Sequence, residues 1–165
     1  IHELVNTRIY LLYSLKCLRK MEVNMAVRKA EAVWEGDLKT GKGTMKLGSG
    51  AFEGAYSFSS RFEEGTGTNP EELIGAAHAG CFSMALSADL SRAGFTARRI
   101  NTSSRVTLGK IDDKTRITNI HLDVTADVPE ITREQFDEIA EAAKKGCPIS
   151  AALGAVDITM TARLL

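Results

Sequence analysis

The sequence predicts an α+β fold in which mainly antiparallel sheets wrap around a long central helix. Three observations predict it. Short stretches alternate at the period of strands, as in Ile100, Thr102, Ser104, Val106 and Leu108, or Ile120, Leu122, Val124 and Ala126. One segment from Pro70 to Ala93 is apolar, slim and marked at both ends as a helix. Neighbouring strands are separated by tight turns, which antiparallel pairing permits.

Taken in order, Val27 to Gly36 reads as a first strand carrying Trp34, and Asp37 to Gly43 as a turn rich in residues that tolerate positive φ. Thr44 to Leu47 returns as a short strand. Tyr56, Phe58, Ser60 and Phe62 alternate with Ser57, Ser59 and Arg61, which predicts a half-buried strand with Arg61 on the face opposite the aromatics. Glu63 to Thr68 is a loop.

Asn69 then caps the long helix, Pro70 occupies its first turn, and Glu71 and Glu72 sit near the positive end of its dipole. Gly94 stops it. The spacing predicts one face of Ile74, Ala77, Cys81, Met84, Ala85 and Ala88. Glycines and alanines elsewhere on this helix let another backbone approach closely. Two strands follow. Thr132 with Gln135 then forms a capping box before a stripe of Phe136, Ile139, Ala140 and Ala143. Gly146 ends that helix, Cys147-Pro148 opens a short helical turn through Leu153, and Val156 to Leu164 is the last strand. The order is βββαββαβ. Six short strands leave much of the central helix uncovered, which predicts an intertwined homodimer.

Residues 1–24 read as an extension, vector-encoded or translated from upstream, with no function assigned; a single domain is expected over 25–165. The run Ile9 to Leu15 is too short to span a bilayer, and its basic neighbours Lys16, Arg19 and Lys20 follow it, the reverse of a signal peptide. The formal net charge is zero, so there is no basic excess for nucleic acid or an acidic membrane surface. Three cysteines are too few for a disulfide scaffold and leave one unpaired, which predicts a reducing, cytoplasmic setting where any disulfide is transient.

The residues that carry chemistry are two distant cysteines and their charged company. A thiol attacks as its thiolate, so Cys81 needs a positive neighbour. Arg61, one loop before the Cys81 helix, is the best candidate, and Glu71 or Glu72 could fix its direction. Glu71 and Cys81 are ten residues apart on one helix, roughly 15 Å along its axis, and point to different sides. Glu71 is therefore expected to serve the Cys81 of a second subunit across a two-fold axis. Cys147, at a helix start, could condense with a Cys81 sulfenic acid and so prevent overoxidation. On residue types alone, the reading of both cysteines as packed small hydrophobes comes ahead of the reactive one. His78 and His121 read as structural histidines and are left out of the site. No ligand spacing suggests a metal, and neither a phosphate-binding loop nor a Gly-x-Ser-x-Gly nucleophile motif is present. No cofactor is expected.

The segment Thr68-Asn69-Pro70-Glu71-Glu72-Leu73-Ile74-Gly75-Ala76-Ala77-His78-Ala79-Gly80-Cys81-Phe82-Ser83-Met84-Ala85-Leu86 resembles the OsmC/Ohr family of organic hydroperoxide reductases, in its OsmC branch. Trp34 to Lys39, Gly41 to Thr44, Arg61-Phe62-Glu63 and Gly146 to Ser150 match in the same order, so the resemblance covers the chain from Met25 onward. It implies an OsmC-like fold, an intertwined homodimer with redox sites at the subunit interface, and a role in oxidative or osmotic stress defence. It implies Cys81 as the peroxidatic cysteine, Cys147 as the resolving one, Arg61 as the group that stabilises the thiolate and orients the peroxide, and Glu71 as the holder of Arg61. The expected substrate is an organic hydroperoxide and the expected reductant a lipoyl-type dithiol. Phe58, Phe82, Met84 and Ile149 are candidates for contact with the substrate's apolar tail. The chain departs from the family's pattern in its extension and at Gly80, where alanine is usual. The alternatives are a redox sensor using the same disulfide and a non-catalytic dimer that binds an apolar ligand.

Overall fold

The computed structural model describes residues 26–165. The extension expected over residues 1–24 lies outside the described residues. Among the described residues, two three-stranded sheets and four helices follow in the order β1 (Ala30–Glu35), β2 (Lys42–Leu47), β3 (Glu53–Ser57), α1 (Phe58–Phe62), α2 (Pro70–Arg92), β4 (Arg99–Ile111), β5 (Lys114–Asp127), α3 (Arg133–Gly146), α4 (Pro148–Ala152) and β6 (Asp157–Leu164). The α+β class and the long central helix expected from the sequence are present.

The first sheet is an antiparallel meander, β1-β2-β3. Trp34 and Tyr56 flank Gly43 in adjacent register, and their rings close over it with centroids 5.2 Å apart. A side chain at Gly43 would run into the Tyr56 ring, so the glycine makes this aromatic contact possible. Val27, Val33 and Leu38 remain more than half exposed, so much of this unit's apolar surface is uncovered by the other described residues.

The second sheet has the order β4-β5-β6. β4 and β5 form a long antiparallel hairpin whose two-residue turn, Asp112-Asp113, has positive φ at both positions. That turn geometry matches the twist of the strands, and aspartate tolerates it better than most residues. β5 and β6 are parallel. A parallel pair needs a crossover, and α3 with α4 supplies it. Ile120, Leu122, Val124 and Ala126 of β5 are fully buried on one face, as their alternation predicts. Phe136, Ala140 and Ala143 of α3 are buried too. α2 packs on β4 and against α3 and α4.

Two elements differ from expectation. The aromatic alternation after Tyr56 is not continued strand: the chain turns at Ser57 into the one-turn helix α1. The Ser57 hydroxyl accepts from the Ser60 N–H at 3.1 Å, while the Ser60 hydroxyl accepts from the Ser57 N–H at 2.9 Å. This reciprocal cap ends the strand and puts Arg61 on a helical turn rather than on a strand face. The buried face of α2 is also a different one. Glu71, Gly75, His78, Phe82, Leu86 and Leu90 face inward, whereas Ala77, Met84 and Ala88 of the predicted face are exposed. α2 is long and apolar enough to match a bilayer span. Its packed face, which carries Glu71 and His78, makes it a core helix instead.

Candidate active site

Arg61 is placed by polar contacts between α1 and the start of α2. The Ser60 hydroxyl donates to the Thr68 carbonyl at 2.8 Å, and the Asn69 side-chain amide donates to the Ser60 carbonyl at 3.3 Å. Asn69 also caps α2, accepting from the Glu72 N–H at 2.8 Å. These ties bring the last turn of α1 against the first turn of α2. Arg61 then grips Glu71 with two bonds, Nη2 to Oε1 at 2.7 Å and Nε to Oε2 at 3.2 Å. A bidentate pair fixes the plane of the guanidinium as well as its position. Of the two candidate carboxylates, the partner is therefore Glu71; Glu72 accepts from Thr68 instead. The Glu71 side chain is 10% exposed and that of Arg61 37%, so the carboxylate is a buried anchor and the guanidinium keeps an outward side.

Cys81 lies ten residues further along α2, and Cys147 meets it from the junction of α3 and α4. The Cys147 N–H closes α3 by donating to the Ala143 carbonyl at 2.9 Å, and Pro148 begins α4 at once. The chain so turned sets the Cys147 sulfur 2.9 Å from that of Cys81, across 66 residues of sequence. Both are free thiols; Cys147 is fully buried and Cys81 half-buried. The disulfide reach that sequence could not establish is thus met.

The two thiols are not equivalent. Burial pushes the Cys81 thiol up, and the adjacent Cys147 adds to this against the lowering effect of the Ile149 N–H. Burial also opposes ionisation of Cys147. It is outweighed by the Cys81 thiol, by the N–H and hydroxyl of Ser150 and by the Ile149 N–H, and Cys147 is held below the usual thiol range. Cys147 is the N-cap of α4, although its side chain forms no cap hydrogen bond. A pair this tightly coupled gives up its first proton as a unit. A cation beside Cys81 would favour the thiolate there.

Within the chain Arg61 is not that cation. Its guanidinium is committed to Glu71 at the start of α2, while Cys81 lies about 15 Å along the helix. The chain therefore holds two half-sites, Arg61 with Glu71 and Cys81 with Cys147.

The residues expected to meet a substrate tail divide. Phe82 is wholly in the core and Met84 is exposed on α2, so neither lines a cavity beside Arg61. Ile149 packs at the edge of the core. Phe58 does line a cavity of about 240 Å³, together with Trp34, Leu38, Tyr56, Phe62 and Arg61. The aromatic partners from β1 and β3 were missed in the sequence because they depend on the contact across Gly43. His78, read from the sequence as a structural histidine, lies near the thiol pair. It is buried, with Nε2 2.9 Å from the Ser150 hydroxyl. Its position one turn before Cys81, and that of Ser150 three residues after Cys147, were the available signals.

A family model described as OsmC-like protein matches residues 63–161. Peroxiredoxin OsmC of Escherichia coli (strain K12) is 51% identical over 138 residues, covering 83% of this chain and 96% of that protein. Peroxiredoxin OsmC of Shigella flexneri matches to the same extent. Among solved structures, an OsmC-like protein of unknown function from Vibrio cholerae superposes with a TM-score of 0.68 at 15% identity, over 84% of this chain and 99% of that one. The organic hydroperoxide resistance protein OhrB of Bacillus subtilis does so with a TM-score of 0.64 at 24% identity, over 84% and 100%. The shared fold, and half-identity to the two curated proteins over nearly their full length, establish that this chain belongs to the OsmC-like family.

Proposed function

We propose that this protein is a cysteine-based peroxidase that reduces organic hydroperoxides to alcohols. The observation that carries the proposal is the contact of Cys81 with Cys147 at 2.9 Å in a chain half-identical to peroxiredoxins. The Cys81 thiolate attacks the distal oxygen of the hydroperoxide. The O–O bond breaks, Cys81 becomes a sulfenic acid, and the departing alkoxide takes a proton to become the alcohol. The Cys147 sulfur then attacks the Cys81 sulfur. The S–O bond breaks, the S–S bond forms, and hydroxide leaves with the Cys147 proton as water. A dithiol restores both thiols by two exchange steps and is itself oxidised to a cyclic disulfide. A lipoyl-type dithiol suits that step, and a reducing cytoplasmic setting suits free thiols at both positions.

The complete site is assembled by two subunits. The guanidinium of one subunit, held by Glu71, sits beside Cys81 of the other, stabilises its thiolate and orients the peroxide. Three observations support this: the separation of the half-sites, the uncovered apolar residues of the first sheet, and the exposed small face of α2 around Ala77, Gly80 and Met84. The cavity lined by Trp34, Tyr56, Phe58 and Phe62 travels with Arg61 and offers the apolar tail a place beside the reacting oxygen atoms.

The test is consumption of an organic hydroperoxide with dihydrolipoamide, with hydrogen peroxide for comparison. Turnover is expected to be faster with the organic substrate and abolished by Cys81→Ser. A protein that forms the disulfide but does not turn over would be a sensor; one whose thiols do not react would refute both readings.

A further inference from the structure

His78 is a fully buried histidine that the peroxidase cycle described above does not use. It lies on the inward face of α2, three residues before Cys81, and its one hydrogen-bond partner is the hydroxyl of Ser150. Ser150 is itself buried, in the first turn of α4, three residues after Cys147. Cys147 is the N-cap of α4 and Ser150 its third residue, the two positions a helix start brings side by side, and the Ser150 hydroxyl and N–H both favour the Cys147 thiolate. Three polar groups from two distant parts of the chain, His78, Ser150 and Cys147, thus run in series through the core to the thiol pair.

The direction of the hydrogen bonds follows from what is left over. His78 Nδ1 has no hydrogen-bond partner among the described residues. A ring proton on Nδ1 would be an orphaned buried donor, which proteins tolerate less well than an orphaned lone pair. The proton therefore sits on Nε2 and is donated to Ser150 Oγ. That bond occupies the oxygen's acceptor side and leaves the hydroxyl hydrogen free to point at sulfur. Burial lowers the His78 pKa, so the ring stays neutral and keeps this direction through the physiological range. Burial is the one influence on the ring, and no carboxylate or cation is bonded to it among the described residues.

We propose that His78 is a positioning residue for the resolving cysteine: through Ser150 it holds a hydroxyl hydrogen on Cys147 Sγ and favours the thiolate that attacks the Cys81 sulfenic acid. The proposal rests on the peroxidase reading given above. It assigns the relay to the second step alone. Attack on the hydroperoxide depends on Cys81 and the guanidinium, whereas condensation depends on how much of Cys147 is thiolate and how well it is aimed. A faster second step shortens the life of the sulfenic acid, and with it the chance of oxidation to sulfinic acid.

The experiment follows both steps in rapid mixing of the reduced full-length protein with an organic hydroperoxide across pH. Ser150→Ala and His78→Leu are expected to slow condensation about tenfold, the effect of losing one hydrogen bond to a charged group. They should move its pH profile upward by about one unit. Sulfenic acid formation should be unchanged, and His78→Gln, whose side-chain amide can donate from nearly the same place, should restore the profile. A simple packing role for His78 would alter melting temperature but not the pH profile, and Ser150→Ala removes only one atom should His78→Leu fail to fold. An unmoved condensation profile in Ser150→Ala overturns the proposal. Should the unsubstituted protein form no sulfenic acid, the peroxidase reading fails instead. The relay is then read from the reaction of Cys147 with dithionitrobenzoate in a Cys81→Ser background, where the same upward shift is expected on adding Ser150→Ala and its absence overturns the relay.

Discussion

Arg61 and Glu71 show how one ion pair can be a positioning device more than a source of stability. A buried carboxylate with a half-exposed guanidinium gains little net folding energy, because desolvation offsets much of the attraction. What the pair fixes is direction: two bonds leave the guanidinium no freedom to rotate, and in the proposed mechanism its outward side meets the peroxide. Glu71→Gln can keep one of the two bonds and loses the charge. It is expected to lower kcat/KM for an organic hydroperoxide by about tenfold or more, with Cys147 chemistry intact. Steady-state kinetics beside a melting curve checks this; unchanged kcat/KM would mean that the guanidinium needs no anchor. The residues proposed for this site stand out in the sequence because their types are distinctive: two cysteines, one arginine and an acid in a helix's first turn. The contact between His78 and Ser150 does not, because a hydrogen bond across 72 residues of sequence leaves no local pattern.

At the scale of elements, the ends of α2 were readable and its orientation was not. Asn69, Pro70 and Gly94 act through local backbone chemistry, and each lies where its type predicts. The choice of buried face depends on contrast between faces, and a helix built from alanine, glycine and scattered apolar residues offers little. α1 was hidden for a related reason. Its aromatics keep a strand's period of two, while the serine cap that breaks the strand uses hydroxyls rather than the usual glutamate. Gly80 lies within α2 with open space where a Cβ would stand. Gly80→Ala is therefore expected to stabilise the protein by about 0.5–1 kcal/mol through lower unfolded-state entropy. Chemical denaturation measures it, and a destabilised variant would show that another backbone comes closer to Gly80 than this chain alone does.

For the whole molecule, topology explains why a redox pair is spread over the sequence. The parallel pairing of β5 and β6 demands a crossover, the crossover is α3 and α4, and their junction is where Cys147 meets α2. The hairpin and the β5 core alternation were legible from periodicity; the parallel return was not, because periodicity does not report strand direction. The other half of the site stays with the first sheet. A cross-subunit site makes a specific prediction for mixtures. Cys81→Ser and Arg61→Gln chains, each inactive alone, should regain activity when unfolded and refolded together, since each mixed dimer rebuilds one complete site. No recovery, despite mixed dimers seen by native mass spectrometry, would place the whole site in one chain.

The most direct test of the central claim is addition of one equivalent of an organic hydroperoxide to the reduced protein, followed by peptide mapping without reductant. The account predicts one equivalent of alcohol and a disulfide joining the Cys81 and Cys147 peptides of a single chain. Thiols that stay free while the hydroperoxide persists, or a disulfide that joins two chains instead, would contradict it.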